Sequence, residues 1–129
     1  MSGTMENSAQ KMALISDDAN FVSLAKGAIA SGDSLEFVAL NKNVQDVGAE
    51  IRDLGADALI VDIDASKIED FEQLQKIKRM VGGNCSIIVI TSNFTPAAAR
   101  VLFQLKVSDF LVKPVQTSDL VRATNNIFK

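Results

Sequence analysis

Two rhythms of apolar residues alternate along the chain. The first is a short apolar run, broken only by Glu36: Met12-Ala13-Leu14-Ile15 within 11–16, Leu35 to Leu40, Ala58-Leu59-Ile60-Val61 within 57–62, Ile87-Ile88-Val89-Ile90 within 86–91, and Phe110-Leu111-Val112 within 109–112. Runs of this length, partly β-branched, predict strands buried on both faces of a parallel sheet. The second rhythm is a spacing of three and four. Phe21, Leu24, Ala25, Ala28 and Ile29 predict a first helix closed by Gly32, and Val44, Val47, Ile51 and Leu54 a second closed by Gly55. Ile68, Phe71, Leu74, Ile77 and Val81 predict a third, stopped by Gly82-Gly83. Thr95-Pro96 reads as an N-cap with proline in the first turn of a fourth helix running to about Lys106. Thr117 or Ser118 caps a fifth, with Leu120, Val121, Thr124, Ile127 and Phe128 on one side. On the fourth helix Ala98, Val101, Leu102 and Leu105 form the inward stripe, which turns Phe103 outward as a candidate contact residue.

Strict alternation of strand and helix predicts an α/β fold, a doubly wound parallel sheet with right-handed crossovers. The compact solution is the flavodoxin-like (βα)5 arrangement with strand order 2-1-3-4-5. Residues 1–10 lack any period and read as a disordered tail, and 11–129 form one domain.

That strand order directs attention to the carboxyl ends of strands 1, 3, 4 and 5, which surround one crevice. Strand 1 ends at Ser16-Asp17-Asp18, strand 3 at Asp62, strand 4 at Thr91-Ser92 and strand 5 at Lys113. Carboxylates crowded there cannot all stay ionised unless a cation neutralises them. Oxygen-only ligands favour a hard ion such as Mg2+. One carboxylate beside such an ion suits nucleophilic attack on a phosphoryl group, and a lysine and a hydroxyl are the groups that stabilise its equatorial oxygens. Asp17 and Asp18 can equally serve as first-turn acids or caps of the first helix.

Composition narrows the partners. The formal net charge is −3 with both signs interspersed, which argues against direct contact with nucleic acid or an anionic membrane. No apolar run is long enough to span a bilayer. The chain has no histidine, so histidine-based catalysis, histidine metal sites and phosphohistidine donation are excluded. A single cysteine, Cys85, rules out an internal disulfide and suits a reducing, cytoplasmic setting. The first strand–helix turn has no glycine and two acids, which excludes a dinucleotide site there.

Four segments carry a family resemblance. Asp57-Ala58-Leu59-Ile60-Val61-Asp62, the acids at Ser16-Asp17-Asp18, Ile88-Val89-Ile90-Thr91-Ser92 and Asp109-Phe110-Leu111-Val112-Lys113-Pro114 occur in order and with matching spacing. From Met12 to Phe128 the chain resembles the CheY-like receiver domain of bacterial response regulators. The resemblance implies Asp62 as phosphoacceptor, Lys113 as its phosphoryl and carboxylate partner before a cis Lys–Pro bond, and Thr91 and Phe110 as switch residues. It implies Mg2+ held by Asp62, Asp17, the main chain of Asp64 and either Asp18 or Ser16, according to the register of the acid pair. It also implies a histidine kinase or phosphotransfer protein as donor, a non-enzymatic role, and a homodimer or output face formed by the fourth helix, fifth strand and fifth helix. The family's M-P-G-x-D-G after the acceptor is replaced by Ile63-Asp64-Ala65-Ser66-Lys67-Ile68, and its glycine before strand 5 by Lys106. These departures admit a phosphorylation-independent pseudo-receiver used for protein interaction or localisation. The Thr95–Val115 region is also similar to the atypical receiver of Tad/CpaE-type pilus-assembly ATPases, although no G-x-x-x-x-G-K-[ST] occurs.

Overall fold

Five strands form one parallel sheet in the order β2-β1-β3-β4-β5, as expected. The computed structural model describes residues 10–29 and 34–128. The strands are β1 (Gln10–Ile15), β2 (Leu35–Leu40), β3 (Ala58–Asp64), β4 (Ser86–Ser92) and β5 (Asp109–Val112). The helices are α1 (Ala19–Ala28), α2 (Glu50–Asp53), α3 (Ile68–Val81), α4 (Pro96–Leu105) and α5 (Thr117–Ile127). Gln10 belongs to β1, and the expected tail before it lies outside the described residues, as does Gly32.

The runs in β1, β3 and β4 are buried on both faces because helices cover both, whereas the outer strands β2 and β5 are only half-buried. Met12, Leu14, Ile60, Ile88 and Ile90 pack with Phe21, Ala25 and Leu120 from α1 and α5. Ala13, Ile15, Leu59, Val61 and Val89 pack with Ile51, Leu74, Ile77 and Leu102 from α2, α3 and α4. Side chains alternate across a strand, so each run feeds both cores at once.

The second helix differs from its expectation. Val44–Asp46 forms a 3-10 turn, Val47 is extended, and α2 has only four residues. The Asn43 side chain caps the turn and Gly48 interrupts the helical path. Val44, Val47 and Ile51 are nevertheless buried, so the spacing identified the inward positions and not the continuity of the helix. Two smaller corrections concern helix starts. Ile68, the first residue of α3, is exposed and not on its core face. α5 begins at Thr117 after Gln116, which makes no side-chain cap, so neither Thr117 nor Ser118 is the N-cap. Thr95 does cap α4, its hydroxyl accepting the Ala98 N–H at 3.1 Å.

α4 ends at Lys106 in the left-handed region, φ 59 and ψ 43. A residue with a Cβ is strained there by roughly 1–2 kcal/mol. Lys106→Gly is expected to raise stability by about 0.5–1 kcal/mol, less than the full strain because glycine also loosens the unfolded chain. Urea unfolding measures this, and an unchanged or lower midpoint would overturn it.

Candidate functional site

The crevice forms where β1, β3 and β5 end. Asp62 sits one strand position past the buried run and shares its face with Ile60, which aims it toward α1. Its Oδ2 accepts two hydrogen bonds, from the Ser16 hydroxyl at 2.7 Å and from Lys113 Nζ at 2.8 Å. Oδ1 has no partner among the described residues. No buried side-chain oxygen there is left unpaired, so Oδ1 reaches solvent. Burial pushes the Asp62 carboxyl up, against Lys113 and Ser16, which hold it down.

Lys113 also binds Asp18 Oδ2 at 2.9 Å and lies over the Phe21 ring. Burial would lower its pKa, but the bonds to Asp62 and Asp18 outweigh that and raise it. The Lys113–Pro114 peptide is cis. Asp18 caps α1, accepting the N–H groups of Asn20 and Phe21, and the Lys113 bond holds its carboxyl below the usual range. Asp18 therefore works as cap and lysine partner. Ser16 is 1% exposed and occupies the position beside the acceptor, where its oxygen also accepts the Asp18 N–H at 3.1 Å. Ser16 thus adjoins Asp62, and Asp17 lies at the neighbouring cavity, accepting from Asn43 Nδ2 at 3.3 Å.

That cavity has a volume of about 180 Å³, and Asp17, Asp62, Asp64, Asp70 and Ser92 are among its walls. No three acid, cysteine or histidine side chains gather as a metal site among the described residues. The donors present, two carboxylates and main-chain or hydroxyl oxygens, fit a magnesium ion that keeps several waters. Asp64 has its carboxylate in the β3–α3 turn, where it accepts from the Ser66 N–H and hydroxyl and from Asn93 Nδ2 at 2.9 Å. The Ser66 hydroxyl and then Asn93 hold its pKa down to about 2. Its carbonyl accepts the Lys67 N–H, leaving one lone pair for a ligand.

Asp70 was not singled out from the sequence, where Glu69-Asp70 reads as a solvated first turn of α3. It is 4% exposed and both oxygens are engaged: Oδ2 accepts the Asp64 N–H at 2.8 Å and Oδ1 accepts Gln45 Nε2 at 2.7 Å. It pins the loop after the acceptor strand. Asp70→Ala is expected to destabilise by about 1–2 kcal/mol, since the half-buried Asp64 N–H loses a charged acceptor while the exposed Gln45 amide can turn to water. Thermal unfolding checks this, and a change within ~0.5 kcal/mol, the range of an ordinary surface substitution, would sink it.

The other two candidates lie farther from the carboxylates. Thr91 is wholly buried, and its hydroxyl donates to the Ser92 carbonyl at 2.9 Å, so it does not touch Asp62. Phe110 stacks on Phe94 at 5.4 Å between centroids and meets Phe103 edge-on at 6.4 Å. Phe103 is 76% exposed, as its outward position on the helix predicts.

Comparison with known proteins agrees with this fold. The chain is 26% identical over 119 residues to the chemotaxis protein CheY of Thermotoga maritima, covering 92% of this chain and 98% of that protein. Its fold is similar to that of a response regulator from Thermotoga maritima (TM-score 0.77, 13% identity, 93% and 98% of the two chains). It is also similar to that of a CpaE2 pilus assembly protein from Sinorhizobium meliloti (TM-score 0.74, 18% identity, 92% and 99%). The model of the response regulator receiver domain matches residues 12–125, nearly the whole described chain, and the chain belongs to that family.

Proposed function

We propose that the domain accepts a phosphoryl group on Asp62 from a histidine kinase or phosphotransfer protein, in a cytoplasmic two-component phosphorelay. One observation carries the reading: Asp62 Oδ2 is held by Lys113 and Ser16 while Oδ1 is left open to solvent. A carboxylate fixed through one oxygen presents the other as a nucleophile. Oδ1 would form the new O–P bond as the donor's N–P bond breaks, and the imidazole would leave with the electron pair. Lys113 would then share its charge with a phosphoryl oxygen. Mg2+, held by Asp17, Asp62 and the Asp64 carbonyl, would supply charge neutralisation to the phosphoryl oxygens. The protein has no turnover role beyond slow loss of its own phosphoryl group. The output would pass through α4, β5 and α5, where exposed Phe103 lies on Phe110, with self-association as one readout.

A second reading, a phosphorylation-independent interaction or localisation module, rests on Ser16. A neutral hydroxyl stands beside Asp62, and Lys113 offsets one of the two carboxylates it binds, so less negative charge is left for a cation to neutralise. Titration with beryllofluoride and millimolar Mg2+, followed by NMR, distinguishes the two. Saturable shifts centred on Asp62 and absent in Asp62→Asn support phosphoacceptance. No Asp62-dependent response overturns it in favour of the second reading.

A further inference from the structure

The break in the second helix leaves a groove. The 3-10 turn and the four-residue α2 both lie beside α3, and a cavity of about 570 Å³ opens between residues 47–52 and α3. Its apolar floor includes Val47 and Met80, and Gly48 leaves the backbone bare at one edge. Arg52 from α2 and Lys76 and Arg79 from α3 form its walls. Lys76 and Arg79 are three apart on one helical face, so their side chains project together. All three cations are exposed and none forms an ion pair among the described residues. No acid lines the groove, and Glu50 of α2 is engaged by Lys42 and the Gly48 N–H. Acids outnumber bases in the chain by 16 to 13. The groove therefore runs against the overall charge balance, and its field is local.

We propose that the α2–α3 groove docks an acidic segment of a partner polypeptide, with carboxylates on Arg52, Lys76 and Arg79 and an apolar side chain on Val47 and Met80. Charge complementarity with an apolar floor suits alternating acidic and apolar residues. The competing occupants fit less well. The lining has no aromatic ring on which a base could stack. An anionic membrane calls for a broad basic surface of roughly four to eight Lys or Arg, not three cations facing inward. The site lies away from Asp62 and does not depend on phosphoacceptance.

Selection of a displayed random-peptide library on the full chain, with counter-selection on Arg52→Glu/Lys76→Glu/Arg79→Glu, tests this. Enriched peptides should be rich in Asp and Glu with an apolar anchor. A fluorescent copy of the leading peptide should bind at least about tenfold more weakly to the triple variant, and more weakly as salt rises. The triple variant should stay folded, with a slightly lower melting temperature because Arg52 and Arg79 sit in the last turns of their helices, and should keep its response to beryllofluoride, since the three residues are exposed and do not line the Asp62 cavity. Failure to enrich acidic peptides, or equal binding by the triple variant, overturns the proposal. So does tighter binding of a single-stranded oligonucleotide or of phosphatidylserine vesicles that the triple variant loses.

Discussion

Asp62→Asn is expected to abolish phosphoryl acceptance and, at neutral pH, to make the fold more stable than wild type by about 0.5–2 kcal/mol. The two effects share a cause. Asp62 is nearly buried, and burial raises its carboxyl above the ordinary aspartate value of 3.8 in spite of Lys113 and Ser16. A raised pKa in the folded state means that the native chain holds this proton more tightly than the unfolded chain does. The group therefore favours folding fully below 3.8 and loses that contribution as pH rises through the folded-state value. At neutral pH the buried charge is a standing cost. Asparagine carries no charge, and its oxygen can still accept from Ser16 and Lys113. Lys113 keeps Asp18 as an ion-pair partner at 2.9 Å. The stability gap should close in acid and open above the folded pKa. Asp64 has a lowered pKa and loses stabilisation as pH falls, but it is present in each protein and cancels from the difference, whereas Asp18 shares Lys113 with Asp62 and keeps the whole of that cation in the variant. Thermal unfolding across a pH series checks the stability claim. Mass spectrometry after incubation with acetyl phosphate and Mg2+ checks acceptance. A variant less stable than wild type at neutral pH would mean that the Lys113 attraction exceeds the burial penalty.

The physical origin of each signal explains which parts of this site were legible in the sequence. The strand order, the two cores and the convergence of Asp62 with Lys113 follow from apolar runs and strand-end charges, which are local patterns. The loop after Asp62 was not legible in the same way. Its shape depends on Asp70, six residues beyond Asp64, reaching back to the Asp64 N–H while Gln45 arrives from a different turn. Neither has a periodic or motif signature, and an acid in the first turn of a helix reads as a dipole partner. The second helix failed for a related reason: periodicity marks the buried positions Val44, Val47 and Ile51 but is blind to the extended backbone at Val47. Asp64 illustrates the consequence at the site. Its Oδ1 is committed to Ser66 and Asn93, and the metal role that the family pattern implies for this position falls on its main chain.

Ser16→Asp is expected to convert this site into one whose stability depends on magnesium. Ser16 is 1% exposed and its hydroxyl lies 2.7 Å from Asp62 Oδ2. An aspartate there would place a second carboxylate against a buried one, where a shared hydrogen bond now stands. Without a divalent ion the loss should be about 3 kcal/mol, the scale of an uncompensated buried charge. The same change sets a third carboxylate beside Asp17 and Asp62, the two side chains proposed to hold the ion, and more ligand charge raises affinity for a hard cation. An affinity gain of about tenfold is expected. Because the ion binds only the folded chain, Mg2+ at 100 times its dissociation constant would restore about 2.7 kcal/mol. Ser16→Asn separates charge from size: it should show neither the sensitivity to chelator nor the recovery. Melting curves with chelator and with a Mg2+ series decide the matter. If Ser16→Asp is stabilised by Mg2+ no more than wild type is, then position 16 does not face the ion. The hydroxyl beside Asp62 would then be a structural partner of the acceptor and not a replaced metal ligand.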